Sequence, residues 1–195
     1  MTTYQLCQKI NVNEVEFYCE SIKGSNDNLT IVFESGYGWD SNNLLPIKHK
    51  VSKFANIFIY DRDGIGKSEK NNKPKHSFQM IENLRCLLRK LDIKPPYIMV
   101  GHSFGGINVR LYASKYPLEA VGIILLNSVH ENQNKRMVPL FIKEVQEEYL
   151  GQFVVEASLD EFDESLEQLR GTNLNTIPLI VMTGSNQPHH TKESM

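Results

Sequence analysis

One serine and the glycines around it carry the clearest chemistry in this chain. Gly101-His102-Ser103-Phe104-Gly105-Gly106 follows the apolar run Tyr97-Ile98-Met99-Val100 and opens directly into Ile107-Asn108-Val109. A serine in G-x-S-x-G, between a strand and a helix, has the pattern of a nucleophile on a sharp turn. Glycine at 101 and 105 admits a turn whose crowded backbone would clash with a Cβ. The turn pushes the Ser103 hydroxyl out at the carboxyl end of the strand. The Phe104 N–H, at the helix start, then faces any oxyanion formed there. Three fixed residues at ordinary frequencies recur by chance about once in fifteen chains of this length. The flanking strand, the helix and Gly106 therefore carry the reading.

Two further segments fit the same chemistry. Leu29-Thr30-Ile31-Val32-Phe33-Glu34 reads as a strand followed by the loop Ser35-Gly36-Tyr37-Gly38-Trp39. A glycine-rich loop after a strand upstream of the turn is where a second oxyanion donor belongs. Ala55-Asn56-Ile57-Phe58-Ile59-Tyr60 reads as another strand, followed by Asp61-Arg62-Asp63-Gly64-Ile65-Gly66-Lys67-Ser68. In this order and spacing, the three segments resemble the α/β-hydrolase superfamily, from about residue 20 to about residue 184. S-G-Y-G-W is similar to its oxyanion loop, with Ser35 where His is common. D-R-D-G-I-G-K-S is similar to its D-R-x-G-x-G-x-S loop, and G-H-S-F-G-G to its nucleophile elbow. The resemblance implies Ser103 as nucleophile and the backbone N–H groups of Tyr37 and Phe104 as oxyanion donors. Gly36, Trp39 and His102 are implied on the substrate side, with Trp39 and Phe104 adding apolar wall to an acyl pocket.

Acyl transfer also needs a base and a group to orient it. His102 adjoins Ser103 inside the turn, so its side chain points elsewhere. His49 and His76 read as surface residues. The family order is Ser, acid, then His. At the first acid place the chain has Asn127-Ser128-Val129-His130-Glu131: Asn127 sits where a carboxylate is often found, and Glu131 is the fallback. The candidate bases are His130, after the next strand, and His189 and His190 in the polar tail. The resemblance implies one further strand and helix, with the family His, beyond Met195. The chain thus reads as a single α/β-hydrolase domain over 1–195, incomplete at its C-terminus. Three consequences are open: a truncated product, a catalytically silent binding member of the fold, or a base supplied by the tail or by another subunit. Losing an edge strand and its helix exposes backbone and apolar surface, which favours self-association through that edge.

The elements that must position these groups alternate. Residues 4–22 read as two strands. Asp40 to Phe54 should carry a short helix. Phe78 to Leu91 is an amphipathic helix with Met80, Ile81, Leu84, Leu87, Leu88 and Leu91 on one face and Ser77 as its cap. The helix after the elbow runs to about Tyr116, and Val121–Leu126 is the next buried strand. The expected fold class is α/β: a mostly parallel sheet with helices on both faces. Residues 132–175 break the rhythm with helices over Pro139–Leu150 and Leu159–Leu169, the second capped by Ser158 with Glu161. In this family such an insertion resembles a cap over the elbow. Ile177–Met182 reads as one more strand.

At 195 residues the chain is long enough for one domain with a real core. A net charge of −2 gives no electrostatic case for nucleic acid. The apolar runs are too short to span a bilayer, and the N-terminus does not read as a signal peptide. Cys7, Cys19 and Cys86 are scattered without metal spacing and read as reduced thiols, which points to the cytoplasm. No cofactor or metal is expected; the expected partner is a small acyl substrate.

Overall fold

In a computed structural model of the chain, residues 5–25, 28–174 and 176–184 are described. The sheet has seven strands in the order β1-β2-β4-β3-β5-β6-β7. They are β1 (Gln5–Val12), β2 (Val15–Ile22), β3 (Thr30–Glu34), β4 (Asn56–Tyr60), β5 (Tyr97–His102), β6 (Ala120–Leu126) and β7 (Leu179–Met182). The hairpin β1–β2 joins β4 antiparallel, and every pairing from β4 through β7 is parallel. The short unbroken apolar runs of β3 to β6 suit strands that lie between two layers.

The helices are α1 (Leu45–Val51), α2 (Ser77–Lys90), α3 (Gly105–Lys115), α4 (Gln133–Met137), α5 (Lys143–Gly151) and α6 (Leu159–Leu169). On one face α2, α3 and α6 close the larger core, with Leu84, Leu88, Phe104, Ile107, Tyr112 and Phe162 buried in it. On the other, Leu44 and the helix α1 pack on Ile22, Phe33, Ile57, Ile59 and Val100. The chain leaves β3 through α1 toward β4 and leaves β5 through α3 toward β6. The connections after these two neighbouring strands therefore run in opposite directions. In an open parallel sheet, that is the point where a crevice forms beyond the carboxyl ends. The loop after β3 and the turn after β5 meet there.

Two local details differ from the sequence reading. His76, not Ser77, caps α2: its Nδ1 accepts from the Gln79 N–H at 3.3 Å, while the Ser77 N–H donates to Ser165 Oγ at 2.8 Å. An imidazole nitrogen serves as well as a hydroxyl for an orphan helix N–H. Pro139 lies in a 3-10 turn, and α5 starts only at Lys143, because Phe141 is extended with ψ 148°. The Ser158–Glu161 capping box of α6 forms as expected. Along β7 all four side chains are exposed, from 45% at Leu179 to 59% at Val181. No helix among the described residues is long and apolar enough to cross a membrane.

Candidate active site

Ser103 stands at the end of β5 with φ +50°. A side chain in that left-handed region stores backbone strain, which persists only where the surroundings hold it. The Ser103 N–H donates to Leu126 O at 3.0 Å, and its carbonyl accepts from the N–H groups of Gly106 (3.0 Å) and Val129 (3.1 Å). The end of β6 thus clamps the turn. At Gly105 a Cβ would fall 2.2 Å from Glu34 O and 2.6 Å from Ser35 O. The first residue of α3 therefore presses on the backbone that begins the oxyanion loop. Gly105→Ala is expected to lose stability at the upper end of the roughly 1–3 kcal/mol typical of overpacking, read as a lower denaturation midpoint.

Gly36 closes the other side. Its own Cβ would meet His102 Nδ1 at 2.8 Å and Ser103 Cβ at 3.4 Å, so its backbone lies against the elbow. The Trp39 N–H returns to Gly36 O at 3.1 Å, which makes the loop a tight turn. Among the described residues, the N–H groups of Tyr37 and Phe104 donate to no protein acceptor. The Phe104 ring is 0% exposed and stacks on Phe162 at 5.0 Å, so it belongs to the core and is not an open pocket wall. Trp39 is 42% exposed and stacks on His102 at 4.4 Å between centroids.

The Nδ1 of His102 is buried without a partner among the described residues. Burial lowers the pKa of this imidazole from its ordinary 6.5. The folded chain then resists a proton that the unfolded chain accepts, so this contribution to stability is lost as pH falls through about 6.5. The stability difference between wild type and His102→Gln is expected to shrink from pH 7 to pH 5. Urea titrations at both pH values check this; a constant difference would refute it.

Beneath the loop lies a charged cluster. Arg62, after β4, donates from Nη1 to Glu34 Oε2 (3.0 Å) and Ser35 O (2.8 Å). Its Nη2 donates to Gly36 O (2.7 Å) and Glu156 Oε2 (3.0 Å), and its Nε to Glu156 Oε1. The three charged side chains are at most 3% exposed. Glu34 also accepts from Tyr60 Oη (2.5 Å) and Asn108 Nδ2 (3.1 Å). Burial pushes the Glu34 carboxyl upward and outweighs the downward pull of Arg62, Tyr60 and Asn108. For Arg62, burial works against the charge, but Glu156 and Glu34 outweigh it and hold the guanidinium above its ordinary range. The D-R-D-G-I-G-K-S motif flagged Arg62 as part of a loop, while Glu34 and Glu156 carried no signal for this role.

Other candidate residues make their contacts elsewhere. The Glu131 carboxylate pairs with Arg110 Nη1 at 3.2 Å and lies 3.6 Å from His130 Nε2. Burial raises the Glu131 pKa, but a backbone hydrogen bond, Arg110 and His130 together bring it below the ordinary value. His130 is exposed, and its Nδ1 accepts from the Asn132 N–H at 3.1 Å. Among the described residues, no hydrogen bond joins either side chain to Ser103. Asn127, with φ +43°, ties the ends of β6 and β7 by accepting from the Gly184 N–H at 2.7 Å. His189 and His190 lie outside the described residues. A cavity of about 590 Å³ opens at the other end of the sheet, beside Thr30, Asn56 and Pro95, away from Ser103.

The comparisons with known proteins agree with this architecture. A model of the alpha/beta hydrolase fold matches residues 30–174. The uncharacterized protein YqjL of Bacillus subtilis is 32% identical over 174 residues, covering 88% of this chain and 67% of its own length. A proline iminopeptidase of Thermoplasma volcanium is 24% identical over 139 residues, 70% of this chain and 45% of its own length. The chain thus spans about two thirds of the first relative and under half of the second. Among solved structures, alpha/beta hydrolase domain-containing protein 10 from mouse superimposes with a TM-score of 0.71 at 16% identity, covering 91% of this chain and 77% of that one.

Proposed function

The chain belongs to the α/β-hydrolase family, and from that premise we propose that it is a serine hydrolase of a small ester or related acyl compound. Ser103 is the nucleophile, and the N–H groups of Tyr37 and Phe104 receive the oxyanion. The observation that carries this reading is the seating of Gly36 against Ser103, with two neighbouring N–H donors that have no protein acceptor among the described residues. Donors held in place before reaction stabilise developing charge without reorganising. In the reaction, Ser103 Oγ bonds to the carbonyl carbon as its proton passes to the base. The tetrahedral adduct collapses, the C–O bond to the alcohol breaks, and the alcohol leaves with that proton. Water then attacks the acyl-enzyme, releasing the acid and restoring the hydroxyl.

Residues 132–175 serve as the cap over this site. The base is a histidine among His130, His189 and His190, or one brought by a second copy docking at the exposed edge of β7. Glu131 is the candidate acid, with His130 Nε2 at 3.6 Å from it. The free state of Cys7, Cys19 and Cys86 supports a cytoplasmic location.

The test is the intact mass of the chain before and after a fluorophosphonate, with the adduct mapped by peptide. A stoichiometric adduct on Ser103 is expected. A folded chain without an adduct favours the second reading, a binding protein on the same fold. The contacts of His130 and Glu131 away from Ser103 are what support that reading.

A further inference from the structure

The oxyanion loop is held in place largely from one side. Ser35 and Gly36 give their carbonyls to Arg62, at 2.8 and 2.7 Å. The Gly38 N–H donates to Glu156 Oε2 at 2.8 Å. The Tyr37 hydroxyl donates to Ala157 O at 2.5 Å and accepts from the Glu156 N–H at 3.2 Å. The ties of Tyr37 and Gly38 end on two residues between α5 and α6, and the same Glu156 holds Arg62. The chain dives at that point: Val154 and Val155 are 77% and 57% exposed, whereas Glu156 and Ala157 are 7% and 1% exposed. The carbonyls of Ser35 and Gly36 and the Gly38 N–H are engaged, and the Tyr37 N–H between them has no acceptor among the described residues.

We propose that Glu156 is the positioning residue of the oxyanion loop. One carboxylate oxygen takes the Gly38 N–H, and both brace Arg62, which in turn holds the carbonyls of Ser35 and Gly36. The cap segment 155–157 and the oxyanion donors therefore assemble or come apart together. An ion pair that served only to hold the cap down would not need to commit an oxygen to a backbone N–H of the oxyanion loop. A buried carboxylate is costly unless each of its lone pairs is used. Here the uses it finds are the guanidinium and the loop itself.

The inference rests on the serine-hydrolase reading for its catalytic meaning, but its geometric content has an independent reporter. Trp39 is the single tryptophan of the chain, adjoins Gly38 and stacks on His102. The experiment compares wild type, Glu156→Gln and Glu156→Asp. Each is checked for folding by circular dichroism, then measured for acrylamide quenching of Trp39 and for the rate of phosphonylation of Ser103. Glutamine keeps the size of the side chain but presents an NH₂ to a donor that needs an acceptor. It is expected to raise the quenching constant severalfold. It is also expected to slow phosphonylation by about 100-fold, the scale of a misplacement near 1 Å. Aspartate keeps the charge and is expected to restore part of both.

Unchanged quenching in a folded Glu156→Gln variant would overturn the proposal. If that variant does not fold, Glu156→Asp decides: it keeps a charge for Arg62 but is one methylene short of the Gly38 N–H. Raised quenching supports the proposal, and wild-type quenching overturns it. A wild type that fails to label refutes the serine-hydrolase reading, while the Trp39 comparison still judges the role of Glu156.

Discussion

Ser103→Ala is expected to abolish fluorophosphonate labelling and to bring ester turnover to background. Where nucleophile and base act as a unit, loss of the nucleophile costs up to about 10⁶ in kcat, and what remains comes from the oxyanion donors and binding. A second substitution separates chemistry from strain. Ser103 occupies φ +50°, a conformation that is costly for any residue with a Cβ. Ser103→Gly removes both the hydroxyl and the Cβ. It is expected to be equally inactive but about 1 kcal/mol more stable than Ser103→Ala. Turnover by Ser103→Ala at the wild-type rate would place the chemistry at some other residue.

Arg62→Met is expected to give the largest loss of stability of any single change near the site. The guanidinium faces Glu34 and Glu156, and all three side chains are at most 3% exposed. Removing one partner of a buried charge cluster costs about 3–5 kcal/mol, because the remaining charge has no compensation. Here two carboxylates and the carbonyls of Ser35 and Gly36 lose their donor together. Against a typical total of about 5–15 kcal/mol, that brings the chain close to unfolding. The deficit has a defined pH dependence. Glu34 already has a folded pKa raised above the ordinary 4.5 by burial, and losing Arg62 raises it further. A carboxyl whose folded pKa is raised stabilises the fold as pH drops through that raised value. The deficit measured by urea denaturation should therefore be smaller at pH 5 than at pH 8. A uniform deficit would mean that the carboxylates find other partners.

The sequence was most legible where backbone meets backbone. At 105 the neighbouring carbonyl of Glu34 leaves no room for a Cβ, so a glycine is forced and the motif shows. At Gly36 the crowding comes instead from side-chain atoms of the elbow, His102 Nδ1 and Ser103 Cβ. The apolar runs of β3 to β6 announced themselves because a strand between two layers has no polar face. Side-chain partners chosen at long range left no such mark. Glu156 sits between valines and an alanine, and nothing local says that its partner lies 94 positions earlier. The cap of α2 is hidden for a different reason: Ser77 has the composition of a cap, but it is the first residue of the helix, and His76 Nδ1 takes the Gln79 N–H. The acid and base are the least legible part, since Asn127 occupies the place of a carboxylate and His130 bonds to Asn132.

The salt link between Arg62 and Glu156 also bears on modularity. The sheet with its elbow and the helical insertion look separable, as a body and an accessory that could be exchanged for another. They are not interchangeable parts in that sense. A transplanted insertion without an acid at the position of Glu156 would leave Arg62 charged and uncompensated inside the body, and would free the Gly38 amide. Any chimera built on this scaffold has to transfer the glutamate with the insertion or remove the arginine from the host. Libraries that diversify the insertion can vary Val154, which faces solvent, but must hold Glu156 fixed.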